Sequence, residues 1–283
     1  MTRSALTAPP LRTIHPATGP AIAYRELGEG PAVLLVHGWP TSSLLWRAVM
    51  PAIAQRNRVI AIDLPGFGGS GKPTNAKYDF EFFDGAITNL LAELDVAEVA
   101  IAGHDIGGPV ALHWAMANPA RVTGIALLNT LVYPEFSAAV IKFVLTMRVP
   151  ISRDRATSPE GLADIMRLGV AESFTLPDEV IAAVQEPFGT KADRLALARA
   201  ATGLGKRGFA EIAAGLPKLQ VPVEVIYGAQ DRILPDVAVT MSRVKRDLPS
   251  TQITVLPDCG HFLQEQQPEQ IGETLAAFFA HLD

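Results

Sequence analysis

The run Gly103-His104-Asp105-Ile106-Gly107-Gly108 constrains this chain more than any other part of it. It follows the apolar stretch Val99-Ala100-Ile101-Ala102 and precedes Pro109-Val110-Ala111-Leu112-His113-Trp114-Ala115. That pattern predicts a buried strand, a sharp turn and a helix. A turn this tight holds its central residue in a strained backbone conformation, and a side chain at Gly103 or Gly107 would collide with the neighbouring helix or strand. Such a turn lifts one side chain clear of the carboxyl edge of a sheet, where a nucleophile can act. Here that side chain is the carboxylate of Asp105. A serine alkoxide suits attack on a carbonyl, whereas a carboxylate suits displacement at a saturated carbon and is left as an ester. Taken alone, the same residues also read as a Gly-rich turn with Asp105 as a helix N-cap.

Three further segments favour the chemical reading. His37-Gly38-Trp39-Pro40 ends the apolar run Ala32-Val33-Leu34-Leu35-Val36, where a second oxyanion donor belongs, so the backbone N–H groups of Trp39 and Ile106 are the expected pair. Val223-Glu224-Val225-Ile226-Tyr227-Gly228 is a strand running into Asp231, which by itself is an ordinary turn residue. Ile253-Thr254-Val255-Leu256 is a strand followed by a loop that carries His261. The order Asp105, Asp231, His261, each just beyond a strand, is the order nucleophile, acid, base.

With these residues the chain resembles the aspartate-nucleophile α/β hydrolases, the group of epoxide hydrolases and haloalkane dehalogenases. Thr41-Ser42-Ser43-Leu44-Leu45-Trp46-Arg47 and the loop Asp63-Leu64-Pro65-Gly66-Phe67-Gly68-Gly69-Ser70-Gly71-Lys72-Pro73 are similar to signatures of that group. The likeness covers residues 20–130 and 217–281 well and the middle poorly. It implies the α/β-hydrolase fold, a mostly parallel twisted sheet flanked by helices, with a helical cap insertion.

Alternating strand and helix patterns point to the same layout. Strands are expected near 21–27, 33–36, 58–62, 99–103, 122–128, 223–227 and 252–255, and helices near 43–54, 80–94, 107–118, 236–247 and 268–281. More than ninety residues separate the strands at 122–128 and 223–227, too many for one crossover, and their periodicity is helical. The expected division is a core of 1–133 and 216–283 with a helical cap at 134–215. Ten basic and ten acidic residues balance in that cap, which therefore offers no net attraction to a charged substrate.

Composition narrows the partners. With 283 residues, 48% of them hydrophobic, the chain can bury a large core. A net charge of −5 without a basic run speaks against nucleic acid and against an anionic membrane surface. The single Cys259 forms no intramolecular disulfide and fits a reducing, cytoplasmic setting. It lies two residues from His261, but no helix starts after it and the turn already supplies a nucleophile, so it reads as a small loop residue. Met1 to Thr13 lacks a long apolar core and holds Pro9 and Pro10, unlike a signal peptide. The expected partners are a small apolar organic substrate and water, with no metal and no cofactor.

The expected chemistry has Asp105 attack an electrophilic carbon and His261, oriented by Asp231, activate a water that hydrolyses the ester. The leaving group separates two activities. Epoxide hydrolases of the group donate to the epoxide oxygen from cap tyrosines, and of Tyr24, Tyr78, Tyr133 and Tyr227 only Tyr133 lies at the cap boundary. Dehalogenases of the group hold the halide with a Trp after the nucleophile and an Asn after His-Gly, or with a cap Trp. Those positions are Ile106 and Trp39 here, and the cap has no Trp. Fluoroacetate-type enzymes carry an Arg where Ile106 stands. The expectation is therefore epoxide hydrolysis with Tyr133 as donor, and haloalkane dehalogenation by the same ester as the alternative. A ligand-binding fold-mate without turnover is the third reading.

Overall fold

A computed structural model describes residues 6–282 of the chain. Eight strands form one sheet: β1 (Leu11–Ile14), β2 (Ile22–Leu27), β3 (Ala32–Val36), β4 (Arg58–Ile62), β5 (Val99–Asp105), β6 (Val122–Thr130), β7 (Val223–Gly228) and β8 (Gln252–Leu256). Their order is β1-β2-β4-β3-β5-β6-β7-β8. β1 and β2 join antiparallel at one edge, and every pairing from β4 through β3 to β8 is parallel. Both faces are covered: β3 is apolar at every position, and β4, β5 and β6 each carry an apolar run beside it. Leu34 and Val36 of β3 pack into one core with Ile60 and Ile62, while Val33 and Leu35 pack into the other with Val59 and Ala61. The two-residue repeat of the strand thus feeds two separate cores.

The helices are α1 (Met50–Ile53), α2 (Phe80–Glu93), α3 (Gly107–Ala117), α4 (Ala138–Arg148), α5 (Pro150–Ala156), α6 (Pro159–Leu168), α7 (Asp178–Gln185), α8 (Lys191–Gly203), α9 (Lys206–Gly215), α10 (Val237–Asp247), α11 (Leu263–Gln266) and α12 (Pro268–Phe279). Polar residues set several starts: Asp79 accepts from the Phe82 N–H, Ser158 from Gly161, and Thr190 forms a capping box with Asp193. None of the helices among the described residues is long and apolar enough to cross a membrane. The leader question at Met1–Thr13 falls partly outside the described residues.

Two expectations need correction. The helix expected at 43–54 is a 3-10 turn over Ser43–Trp46 followed by the short α1, because Pro51 has no N–H to continue a helix and suits only a fresh first turn. β1 has no counterpart among the expected strands. It is four residues long, its first three are exposed, and it owes its form to pairing with β2 rather than to its own pattern. Six helices, α4 to α9, occupy the long connection between β6 and β7.

Candidate active site

Asp105 closes β5 and adopts φ of 52°, left-handed backbone that a non-glycine residue enters only where its surroundings force it. The turn leaves no room beside it. A Cβ on Gly103 would come 2.4 Å from the Gly107 carbonyl, and one on Gly107 would come 2.4 Å from the His37 carbonyl. Close approach of β3, β5 and α3 thus requires both glycines. Gly38 is under the same constraint, since a Cβ there would stand 2.2 Å from the Asp105 Cβ.

One carboxylate oxygen of Asp105 is fully engaged. Oδ1 accepts from the backbone N–H of Trp39 at 3.0 Å and of Ile106 at 2.6 Å. The other, Oδ2, lies 3.3 Å from His261 Nε2. That nitrogen has no well-aligned hydrogen-bond partner, so the contact is an ion pair rather than a formed bond. On the opposite side of the ring, His261 Nδ1 lies 2.8 Å from Asp231 Oδ2. Asp231 does two jobs, for its Oδ1 accepts from the N–H groups of Ile233 and Leu234 at 2.8 Å each and shapes the turn it begins. The chain therefore brings Asp105, His261, Asp231, Trp39 and Ile106 together.

Charge balance in the cluster follows from this geometry. Burial alone would push the His261 imidazole down, but Asp231 and Asp105 on its two sides outweigh burial and raise it to about 10. Burial would raise both carboxyls, yet the imidazole and the hydrogen bonds hold Asp105 and Asp231 below the ordinary carboxylate range. The resting arrangement is an imidazolium between two carboxylates.

Several supporting residues escape sequence reasoning. Asn129 is the extra residue of a bulge in β6, where His104 pairs with Leu128 and Asp105 with Thr130. It has φ of 34°, donates from Nδ2 to Asp231 Oδ2 at 2.6 Å and accepts at Oδ1 from the Gly228 N–H at 2.9 Å. A polar residue directly after the apolar run Ile125 to Leu128, followed by Thr130, is its only signal. His104 is buried with its Nε2 2.9 Å from the His261 carbonyl, and burial, with His261 beside it, pushes its imidazole down to about 3. It is therefore a neutral donor that ties the turn to the loop of His261. Arg47, from the Thr41–Arg47 segment, forks onto Glu265 at 2.6 and 2.7 Å, four residues beyond His261. Cys259 is buried, and burial pushes its thiol up to about 11, so it offers no thiolate.

Tyr133 departs from expectation. Its hydroxyl donates to Asp247 Oδ2 at 2.8 Å, and the Arg243 guanidinium lies 3.7 Å over its ring. Two charged residues of α10 hold the phenol, so the structure does not bring its hydroxyl to Asp105. Tyr78 does not replace it, because its hydroxyl donates to the Pro73 carbonyl. Trp39 meets the carboxylate through its backbone N–H. Its indole Nε1 donates to the Leu197 carbonyl of α8 at 3.3 Å, and Phe143 of α4 packs edge-on to its ring at 4.8 Å. Helices of the β6–β7 connection thus lie directly against the site.

A family model described as the α/β-hydrolase fold matches residues 31–268. The chain belongs to this family. Among solved structures, this α/β-hydrolase is similar to haloalkane dehalogenase DbeA from Bradyrhizobium elkani USDA94, with a TM-score of 0.84, 26% identity and 96% and 98% of the two chains covered. A haloalkane dehalogenase of Mesorhizobium japonicum is 40% identical over 123 residues, 42% of this chain and 39% of that protein. The uncharacterized hydrolase YugF of Bacillus subtilis is 28% identical across 90% of this chain and 93% of its own. This α/β-hydrolase is thus a hydrolase close to the haloalkane dehalogenases.

Proposed function

We propose that this hydrolase cleaves a carbon–halogen bond in a small apolar substrate through an ester on Asp105. The division of labour between the two Asp105 oxygens carries the reading. Oδ2, free of strong hydrogen bonds, attacks the carbon in line with the halogen, and the bonding pair leaves with the halide. Oδ1 becomes the ester carbonyl, already placed between the N–H groups of Trp39 and Ile106. Esterification removes one of the two carboxylates that keep His261 protonated. Its proton affinity falls, the proton leaves, and Nε2 becomes a base. Water then attacks the ester carbon, charge collects on Oδ1, and collapse releases the alcohol. Overall, R–X and water give R–OH, a proton and X⁻.

The leaving group decides between this reading and the epoxide expectation. An opening epoxide leaves as an alkoxide and needs an acid donor, whereas a halide leaves as a stable anion. With Tyr133 bonded to Asp247, the expected donor is missing from the site. Trp39 Nε1, at the long end of a hydrogen bond to Leu197, is the donor we assign to the halide, with the β6–β7 helices at 134–215 acting as the cap. Epoxide opening by the same ester is the second reading, favoured by the likeness of His37-Gly38-Trp39-Pro40 to epoxide hydrolases. Two panels separate them, bromoalkanes and chloroalkanes followed by halide release, and terminal epoxides followed by diol. Halide with equimolar alcohol is expected. Diol alone would establish the epoxide reading, and no product from either would leave ligand binding without turnover.

A further inference from the structure

The helix α4 has two unlike faces. Val140 and Met147 are buried, and Phe143 reaches Trp39 beside the nucleophile. Facing away from them, Ile141 is 50% exposed, Leu145 56% and Val149 52%, and Ile151 at the start of α5 is 86% exposed. Ala138, Ile141, Leu145 and Val149 fall within about 80° of helical arc, at about 100° per residue. They line a shallow groove of about 470 Å³. Lys142 and Arg148 stand at the two edges of that arc. Four aliphatic side chains left in water on one short hairpin are more than chance exposure requires.

Charge says what covers this face. Balanced charge across 134–215 hides an uneven distribution, for residues 138–156 hold Lys142, Arg148, Arg153 and Arg155 against Asp154 alone. Arg153 pairs with Asp154 at 2.9 Å, and Lys142, Arg148 and Arg155 have no acidic partner among the described residues. A cationic apolar face on a chain of net charge −5 is complementary to an anionic, oily surface. A second copy fits poorly, since a two-fold contact through α4 would set Lys142 and Arg148 against their own counterparts.

We infer that the α4–α5 hairpin docks reversibly on an anionic lipid surface, seating Ile141, Leu145, Val149 and Ile151 among the acyl chains and Lys142, Arg148 and Arg155 among the headgroups. Docking there places the connection that covers Asp105 against the phase in which apolar substrates dissolve. The proposal departs from the expectation drawn from net charge and the lack of a basic run, because it rests on cations gathered on one face by the fold and not along the sequence.

Co-sedimentation of the whole protein with vesicles tests this without any turnover, so its failure and that of the proposed reaction are separate events. Vesicles of phosphatidylcholine with about a third phosphatidylserine should bind the protein, and pure phosphatidylcholine should bind it at least tenfold less. Each basic side chain near an anionic surface accounts for about a fivefold change in partitioning, so K142E/R148E should lower it by about 25-fold or more. L145S/I151S should abolish it, with both variants melting as the parent does. Absence of binding to the anionic vesicles overturns the proposal, as does equal binding to both vesicles or no effect of K142E/R148E. A dimer in sedimentation equilibrium that L145S/I151S dissolves, without lipid binding, would show a second copy to be the occupant.

Discussion

His261 Nε2 lies 3.3 Å from Asp105 Oδ2, while its Nδ1 lies 2.8 Å from Asp231. The ring is therefore poised between the carboxylate that the proposed reaction would esterify and then regenerate and one that would stay ionised throughout. In the proposed reaction, loss of the Asp105 charge on esterification would turn His261 from an imidazolium into a base. His261→Gln should still form the ester, because the carboxylate is ionised near neutral pH, but should not hydrolyse it. Intact-protein mass spectrometry after mixing with a bromoalkane should show one alkyl adduct per chain. Asp105→Ala should show neither adduct nor product. An unmodified His261→Gln protein, tested with a substrate the parent turns over, would sink this division of labour.

Asn129 links the acid to the sheet from a backbone position with φ of 34°. Both Asn129→Ala and Asn129→Gly lose the 2.6 Å donor to Asp231, so both should slow ester hydrolysis tenfold or more while sparing ester formation. Stability should divide them. Alanine in left-handed backbone costs about 1 kcal/mol that glycine avoids, a gap of roughly 2–4 °C in melting temperature. Equal hydrolysis rates for parent and Asn129→Gly would remove Asn129 from any part in positioning.

Much of this arrangement is legible in the sequence, for identifiable reasons. Strand-to-turn junctions announce themselves by apolar runs broken by Gly or Pro, so Gly103, Gly107 and the positions of Asp105, Asp231 and His261 follow from local pattern. Asn129 does not, because one polar residue at a strand end carries no pattern and its role comes from β7, some hundred residues away. β1 is hidden for the same reason, since its form is imposed by β2. The place of Tyr133 along the chain, just beyond β6, is legible, but its direction is set by Arg243 and Asp247 of α10, which no local reading contains.

His113 gives the fold a titratable strut. Its Nδ1 lies 2.6 Å from Asp84 of α2, its Nε2 3.4 Å from Glu211 of α9, and Phe80 stacks on its ring at 4.6 Å. The hydrogen bond to Asp84 raises the imidazole above its ordinary value, against burial, which lowers it. Native protein therefore holds this proton more tightly than the unfolded chain. The stability it contributes is complete below the unfolded value of about 6.5 and is lost as pH rises through the raised native one. His113→Gln should melt below the parent by a few degrees at pH 6, for about 1 kcal/mol, and the gap should narrow steadily above pH 7. A gap unchanged from pH 6 to pH 9 would mean that the ring acts by packing on Phe80 and not by its charge.

Tyr133→Phe tests the leaving-group assignment most directly. Were the phenol a donor to an opening epoxide, its loss would slow ester formation on the order of a hundredfold, the size expected for one transition-state donor. With the hydroxyl committed to Asp247, the phenylalanine variant should form and hydrolyse the ester at the parent's rates. The cost should fall on stability instead. One hydrogen bond to a partly exposed carboxylate disappears while the ring stays beneath Arg243, so a loss of about 1 kcal/mol is expected, read as a small drop in melting temperature. Rapid-quench measurement of ester formation alongside thermal melting separates the outcomes. A hundredfold slower alkylation with unchanged melting would return Tyr133 to the site and the epoxide to first place. Parental rates with a lowered melting point would leave the indole of Trp39 as the donor at the leaving group.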